Sequence, residues 1–180
     1  MSDPVKHPWI RGRLSIRADV QKRVEEEARA AYGRDEESCG FLVGPADDPG
    51  LLDEIIPMEN RANKLHRLDP ETYPRSGRMY FDIDPLKFEC AVREREVTGR
   101  PVKVLYHSHL DAGAYFSETD AQAATMGGEE PTYDLAYIVT SVRSGGAASA
   151  GTSAPVVDAQ KLFVWDAAAK RFVETTLTVV

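Results

Sequence analysis

The segment from Val102 to Asp120 constrains the fold more than any other part of the sequence. It begins as a short apolar run, which is typical of a buried strand, and it ends where Ser117 can start a helix. Between these points lies the pattern H-x-H, seven residues, S-x-x-D. Because alternate residues of a strand face the same side, His107 and His109 are expected to point to one face of a sheet.

These polar residues predict a metal site. Two imidazoles on one face can bind a single ion, and nitrogen ligands suit a borderline-soft metal such as zinc. Asp120, returning from the start of the helix, would add an oxygen ligand and leave a fourth tetrahedral position for water. Such a position is typical of a catalytic rather than a structural zinc, so His107, His109 and Asp120 predict a hydrolytic centre.

A hydrolytic zinc site also needs a residue that takes a proton from water and passes it to the leaving group. Glu37 is the candidate. The apolar stretch 38–44 that follows it predicts a strand, and pairing with the strand expected at 51–58 would place Glu37 at the end of a sheet. Glu36 is an equally available carboxylate, and spacing does not choose between them. Ser117 would donate a hydrogen bond to the developing oxyanion. It also matches a helix capping box with Asp120, and both roles can hold at once.

Each of these residues has a plainer explanation when it is taken alone. A single histidine at a strand end is most often a hydrogen-bonded structural residue, and a charged residue before a strand is usually solvated. Taken together, the four positions of the H-x-H and S-x-x-D pattern rarely coincide by chance. Cys39, inside an apolar strand, is expected to be a buried thiol rather than a nucleophile. Tyr115 and Phe116 are expected to pack rather than to bind substrate.

Composition excludes several classes of protein. The 22 Lys and Arg against 29 Asp and Glu give a net charge of -7, which would repel a nucleic acid. No apolar run is long enough to cross a membrane, and residues 1–13 do not resemble a signal peptide, so a cytoplasmic protein is expected. The two cysteines, Cys39 and Cys90, are expected to be reduced. The sequence carries no signal for an oligomeric state.

Periodicity predicts one domain over residues 13–180 after an N-terminal tail, 1–12. A first helix should bury Val20, Val24, Ala28 and Ala31, a second should begin at Asp84 with Leu86, Cys90 and Val97 facing inward, and a third should begin at Ser117. Strands are expected at 13–16, 38–44, 51–58, 102–107, 135–140, 161–165 and 171–177. Residues 59–77 and 144–153 are predicted loops. The expected architecture is α/β, with a mixed, mainly antiparallel sheet flanked by about three helices.

The pattern of an upstream Glu, H-x-H, seven residues, S-x-x-D resembles the JAMM/MPN metallopeptidases over nearly the whole chain. In that family the acid-base Glu stands two residues before Cys-Gly, which favours Glu37 over Glu36. The resemblance implies a fold related to the cytidine deaminases and one zinc ion per chain. All the ligands of the family pattern are present. Leu110 and Phe116, however, occupy positions where many members have proline, so the loop between them is expected to be less rigid.

The resemblance also implies a function. Small stand-alone members are similar to enzymes that process ubiquitin-like or sulfur-carrier proteins, and we expect hydrolysis of a peptide or isopeptide bond at the C-terminus of such a partner. Loops 59–77 and 144–153 would form the groove for its tail. A deubiquitinase-like isopeptidase is the alternative enzyme, and a non-catalytic MPN scaffold is the alternative of another class. A zinc deaminase would need H-x-E and P-C-x-x-C, and the sequence contains neither.

Overall fold

The computed structural model describes residue 9, residues 13–145 and residues 154–180. The strands in these ranges are β1 (Leu14–Ile16), β2 (Cys39–Val43), β3 (Leu51–Leu52), β4 (Glu54–Met58), β5 (Val102–Leu110), β6 (Ala136–Arg143), β7 (Val156–Asp166), β8 (Arg171–Thr175) and β9 (Leu177–Val179). The helices are α1 (Ala18–Gly33), α2 (Ala62–Leu68), α3 (Pro85–Val97) and α4 (Glu118–Thr125). Within the described residues, no helix has both the length and the apolar character needed to cross a membrane.

The strands form a large sheet and a small one. The large sheet has the order β4-β2-β5-β6-β7-β8, and its pairings are antiparallel except for the parallel pair β5 and β6. The small sheet, β3-β1-β9, is parallel. The predicted α/β architecture with a mixed, mainly antiparallel sheet is therefore confirmed. The strand predicted at 51–58 is divided, because β3 pairs with β1 in the small sheet while β4 pairs with β2 in the large one.

Helix α1 packs on one face of the large sheet. Its apolar residues recur at helical spacing, and all four predicted positions are buried: Val20, Val24, Ala28 and Ala31. Val20 and Val24 join a core cluster with Leu42, Tyr106 and Ile138 of the sheet. Burying a valine side chain typically contributes about 1.5–3 kcal/mol, so this helix is held mainly by its apolar face.

Helix α3 begins as predicted, but its predicted inward face was wrong. The Asp84 side chain caps the helix by accepting hydrogen bonds from the next two free backbone N–H groups. Leu86 is 74% and Val97 88% exposed, and Cys90 is also exposed. Phe88 packs against the second core cluster instead, with its ring edge-to-face against Phe41 at 5.0 Å. The large aromatic ring sets the rotation of the helix, since it can bury more apolar surface than the smaller side chains.

The predicted loop 59–77 contains a helix, α2, so the described residues form four helices where about three were expected. The sequence gives no periodic signal there, because the helix lies on the surface and buries only Ala62. Residues 69–80, which follow it, are irregular and lead to α3. The other predicted loop, 144–153, lies outside the described residues from position 146 onward.

Two buried residues close the end of the sheet opposite to the histidines. Lys103 is fully buried in β5, and its ammonium donates hydrogen bonds to the carbonyl oxygens of Pro45, Asp48 and Leu51 at 2.7–3.0 Å. Trp9 is buried against the same lysine, whose Nζ lies 5.6 Å from the centre of the indole ring. The rest of the predicted tail 1–12 lies outside the described residues.

Candidate metal centre

Strand β5 carries both histidines in the middle of the large sheet. His107 is paired in register with Cys39 of β2 on one side and Val139 of β6 on the other. The His107 ring is fully buried and stacks on Phe81, with ring centroids 4.8 Å apart. His109 is 5% exposed. A rigid central strand therefore holds both imidazoles, which limits how far either can move.

Three donor atoms converge at this point. Nε2 of His107 lies 3.2 Å from Nε2 of His109 and 3.1 Å from Oδ1 of Asp120, and Nε2 of His109 lies 3.5 Å from Oδ2 of Asp120. In a tetrahedral site with bonds of about 2.0–2.1 Å, two ligand atoms lie about 3.3 Å apart. The donor set of two imidazoles and one carboxylate therefore matches zinc in both chemistry and spacing.

The hydrogen bonding of His109 orients its ring for metal binding. Its Nδ1 lies 2.9 Å from the carbonyl oxygen of Gly113. A carbonyl only accepts hydrogen bonds, so Nδ1 carries a proton, and in the neutral ring Nε2 is then the nitrogen that offers a lone pair to a metal. Gly113 has a φ of 91°, which a residue with a side chain rarely adopts. For His107, no described residue provides a hydrogen-bond partner to Nδ1.

Asp120 is fixed by the start of α4. Ser117 is the N-cap of that helix, and the two side chains form the predicted capping box. Burial alone would raise the pKa of Asp120, but the charge of His107 and hydrogen bonds with His107, His109 and Ser117 outweigh it and hold that pKa far below its ordinary range. The carboxylate therefore stays ionised, as a metal ligand must be.

Glu37 precedes β2, the strand that pairs with the histidine-bearing strand β5, and its carboxyl group interacts electrostatically with Asp120. The antiparallel pairing of β2 with β5 continues past Cys39, because the backbone N–H of Ser108 donates to the carbonyl of Ser38 at 3.0 Å. Glu37 is 5% exposed, and burial, followed by the negative charge of Asp120, raises its pKa well above the ordinary value. A carboxyl group in such a setting holds its proton to a higher pH than an exposed glutamate does.

Glu36 is placed differently from its neighbour. Its carboxylate accepts a hydrogen bond from Arg34 at 2.7 Å in an ion pair near the surface. Glu37 is thus the one of the two carboxylates that is buried and interacts with Asp120. This geometry supports the choice of Glu37 that the sequence resemblance favoured.

Asn60 is a residue of the site that sequence reasoning missed. Its amide nitrogen donates to the carbonyl oxygens of Glu37 and Tyr80 at 3.0 and 3.1 Å. Its amide oxygen accepts from the backbone N–H groups of Ala62 and Asp82 at 2.9 and 3.0 Å. One side chain therefore joins the backbone of Glu37 to the segments on either side of the irregular stretch 69–80. A lone asparagine in a polar segment carries no signal for this role.

The neighbouring residues follow the sequence expectations in part. Cys39 is a buried thiol, as predicted, and burial raises its pKa far above the ordinary value, so it remains protonated. Phe116 packs as predicted, against Tyr137 and Phe172. Tyr115 is instead 52% exposed, with its ring edge against His109 at 5.0 Å. It therefore borders the site at the surface.

Two adjoining cavities lie near the candidate centre, and one of them reaches it. One, of about 300 Å³, is mainly apolar and is bordered by His107 and Asp120. The other, of about 360 Å³, lies between α4 and the segment that contains α2 and residues 72–75. Tyr80, Asp82 and Ala123 border both cavities, so the two cavities adjoin each other.

The fold and this arrangement of side chains define a protein of the MPN class, and comparison with known proteins identifies the family. Residues 17–154 match the model for prokaryotic homologs of the JAB domain. The chain belongs to this JAB-domain family, which confirms the JAMM/MPN resemblance inferred from the sequence. The chain is also 34% identical over 134 residues to proteins of Mycobacterium tuberculosis and Mycobacterium bovis named CysO-cysteine peptidase, over 72% of this chain and 74% of theirs.

Solved structures of other proteins share this fold. The chain is similar to a solution structure from Desulfitobacterium hafniense, with a TM-score of 0.57 and 21% identity over 93% of this chain and 92% of that one. A solution structure from Salinibacter ruber gives the same TM-score at 23% identity and the same coverage. At these identities the likeness concerns the fold alone.

Proposed function

We propose that this protein is a zinc-dependent peptidase that hydrolyses the bond next to the C-terminus of a ubiquitin-like or sulfur-carrier protein. The observation that carries the proposal is the convergence of His107, His109 and Asp120, whose ligand atoms all lie within 4.8 Å of one another. The buried Glu37 beside them adds an acid-base group. Membership of the JAB-domain family supports the same assignment.

Zinc bound by these three residues would polarise the scissile carbonyl and lower the pKa of the attacking water. Glu37 would take the proton from that water and deliver it to the leaving amine. Its raised pKa suits this role, since a carboxylate that is more basic than an ordinary glutamate is a better proton acceptor. Asp120 stays ionised throughout, because its hydrogen bonds hold its pKa low.

Ser117 has two proposed roles. In the structure its hydroxyl lies 2.6 Å from Oδ2 of Asp120, so it donates its proton to that carboxylate and fixes its orientation. Donation to an oxyanion would require the hydroxyl to rotate away from Asp120. The backbone N–H of Ser117 also donates to Asp120, at 2.8 Å, so the carboxylate would keep one hydrogen bond during this rotation.

The proposed substrate follows from the named relatives. The mycobacterial proteins, 34% identical to this chain, are called CysO-cysteine peptidase. Processing of a sulfur-carrier protein is therefore the first activity to test, in the cytoplasm, where reduced cysteines persist. A deubiquitinase-like isopeptidase is the alternative within the enzyme class. A scaffold without catalysis has less support, because it does not need the ligand residues.

A paired measurement tests the proposal. Purified protein loaded with zinc is assayed for release of cysteine from CysO-cysteine, beside Glu37→Gln and Glu36→Gln variants. We expect about one zinc per chain in all three proteins, turnover in the wild type and in Glu36→Gln, and a rate reduced by at least about a hundredfold in Glu37→Gln. Full activity in Glu37→Gln would refute the mechanism, and hydrolysis of ubiquitin conjugates but not CysO-cysteine would favour the isopeptidase.

A further inference from the structure

The larger cavity beside the candidate metal centre has one wall formed by α4. It lies between the first turns of that helix and the irregular segment after α2, and its volume is about 360 Å³. Thr119 borders the cavity and directly precedes Asp120 in sequence. Through Tyr80, Asp82 and Ala123 this cavity adjoins the smaller one, which is bordered by His107 and Asp120.

The charged side chains that border this cavity are Asp82 and Arg75. The negative charge of Asp82 is balanced by Arg61, with which it forms an ion pair at 2.7 Å. Arg75 has no carboxylate partner among the residues that the structure describes, in contrast to its neighbour Arg78, which pairs with Asp35 and Asp111. The charge that remains available in the cavity is positive.

The guanidinium of Arg75 is held in place without being neutralised. Its Nη1 donates to the hydroxyl of Thr119 at 3.1 Å, and its central carbon lies 5.4 Å from the centre of the Tyr80 ring. Both partners are uncharged, so they orient the planar group and leave most of its five N–H donors free. This arrangement suits a carboxylate, which binds such a fork through two parallel hydrogen bonds.

We propose that Arg75 binds the free α-carboxylate of a single amino acid attached to the C-terminus of the carrier protein. The inference rests on the proposed peptidase function and makes the enzyme an exopeptidase for that residue. The leaving residue, bonded through its amine, would carry its carboxylate into the cavity beside α4. Hydrolysis of its peptide bond adds one water, frees the amine of the released amino acid and restores the terminal carboxylate of the carrier.

The test compares two forms of one substrate. CysO-cysteine and CysO-cysteinamide differ only in the terminal charge, and kcat/KM is measured for both with zinc-loaded wild type, Arg75→Gln and Arg75→Lys. Loss of a charge-assisted hydrogen bond corresponds to a factor of about 10–100. We expect the wild type to prefer the free acid by about this factor, Arg75→Gln to treat both forms alike, and Arg75→Lys to keep part of the preference.

Matched controls separate charge recognition from general damage. Arg67→Gln removes an exposed positive charge from α2 of the same segment and should keep the wild-type preference. In a Glu37→Gln background, calorimetry should show weaker binding of the free acid when Arg75→Gln is added, with binding of the amide unchanged. If Arg75→Gln keeps the preference for the free acid, or if an active wild type shows no such preference, this inference is wrong and the proposed function stands. Hydrolysis of neither form by the wild type overturns the proposed function and this inference with it.

Discussion

The hydroxyl oxygen of Ser117 lies 2.6 Å from Oδ2 of Asp120, and the same oxygen accepts the backbone N–H of Asp120 at 3.1 Å. This reciprocal pair is at once the N-terminal cap of α4 and the support of a proposed metal ligand. Here the start of the helix fixes the direction in which the carboxylate faces His107 and His109.

Replacing Ser117 by alanine should therefore weaken both stability and zinc binding. Loss of an N-cap side chain costs about 1 kcal/mol in the free energy of unfolding. Removing a group that orients a ligand typically lowers metal affinity by about 10–100-fold. Urea unfolding and competition with a zinc chelator measure the two effects separately.

The control for Ser117→Ala is Thr125→Ala at the other end of α4. The Thr125 hydroxyl hydrogen bonds to the carbonyl of Ala121 within the same helix, away from the donor atoms. Loss of this hydroxyl should lower stability only slightly, and the variant should bind zinc with the same affinity as the wild type. Equal zinc affinity in Ser117→Ala and the wild type would reduce the role of Ser117 to capping.

Removal of zinc should destabilise the protein. A ligand that binds only the folded state stabilises it by about 4 kcal/mol at a concentration a thousandfold above its Kd. We expect a higher Tm in zinc than in EDTA for the wild type and the same Tm in both for Asp120→Ala. Asp47→Ala, which removes an exposed aspartate, should respond like the wild type. Thermal unfolding with metal analysis by mass spectrometry checks this, and a zinc response in Asp120→Ala would contradict the assigned ligand set.

Much of the fold follows from local patterns in the sequence. The apolar spacing of α1 predicts its buried face, and Asp84-Pro85 predicts the start of α3, because both signals lie within a few residues. The rotation of α3 depends instead on Phe88 meeting Phe41 across the core. Helix α2 buries a single residue and so leaves no periodic pattern to detect. Long-range packing determines these features, and such packing cannot be predicted from the local pattern of a single sequence.

The candidate site likewise contains some residues that local sequence predicts and others that depend on long-range packing. The spacing of His107, His109 and Asp120 could be predicted because a strand and the next helix place all three within one short segment. The position of Glu37 depends on the pairing of β2 with β5, which brings together residues that are far apart in the chain. Asn60 could not be identified, since in sequence it is a polar residue in an ordinary setting.

The raised pKa of Glu37 predicts a pH dependence of stability in metal-free protein. Its folded-state pKa lies well above 4.5, so above pH 4.5 the folded state binds more protons than the unfolded state. The contribution of Glu37 to stability is therefore complete below pH 4.5 and is lost as pH rises through the folded-state pKa. Glu37→Gln should gain stability over the wild type as pH rises from 4.5 toward neutral in EDTA. Urea unfolding checks this, with Glu36→Gln as the control that should show no such gain.

Asn60→Asp should disturb the site without removing its ligands. The aspartate can still accept from the backbone of Ala62 and Asp82, but it cannot donate to the carbonyls of Glu37 and Tyr80. Leaving these two carbonyls unpaired should cost about 2–3 kcal/mol. Because Glu37 loses its backbone support, kcat should fall while zinc content is kept. Asn63→Asp is the matched control, since it loses only a weak 3.5 Å bond to Asp35 and keeps its acceptor role toward Gly77. Equal stability and kcat in the two variants would show that Asn60 does not position Glu37.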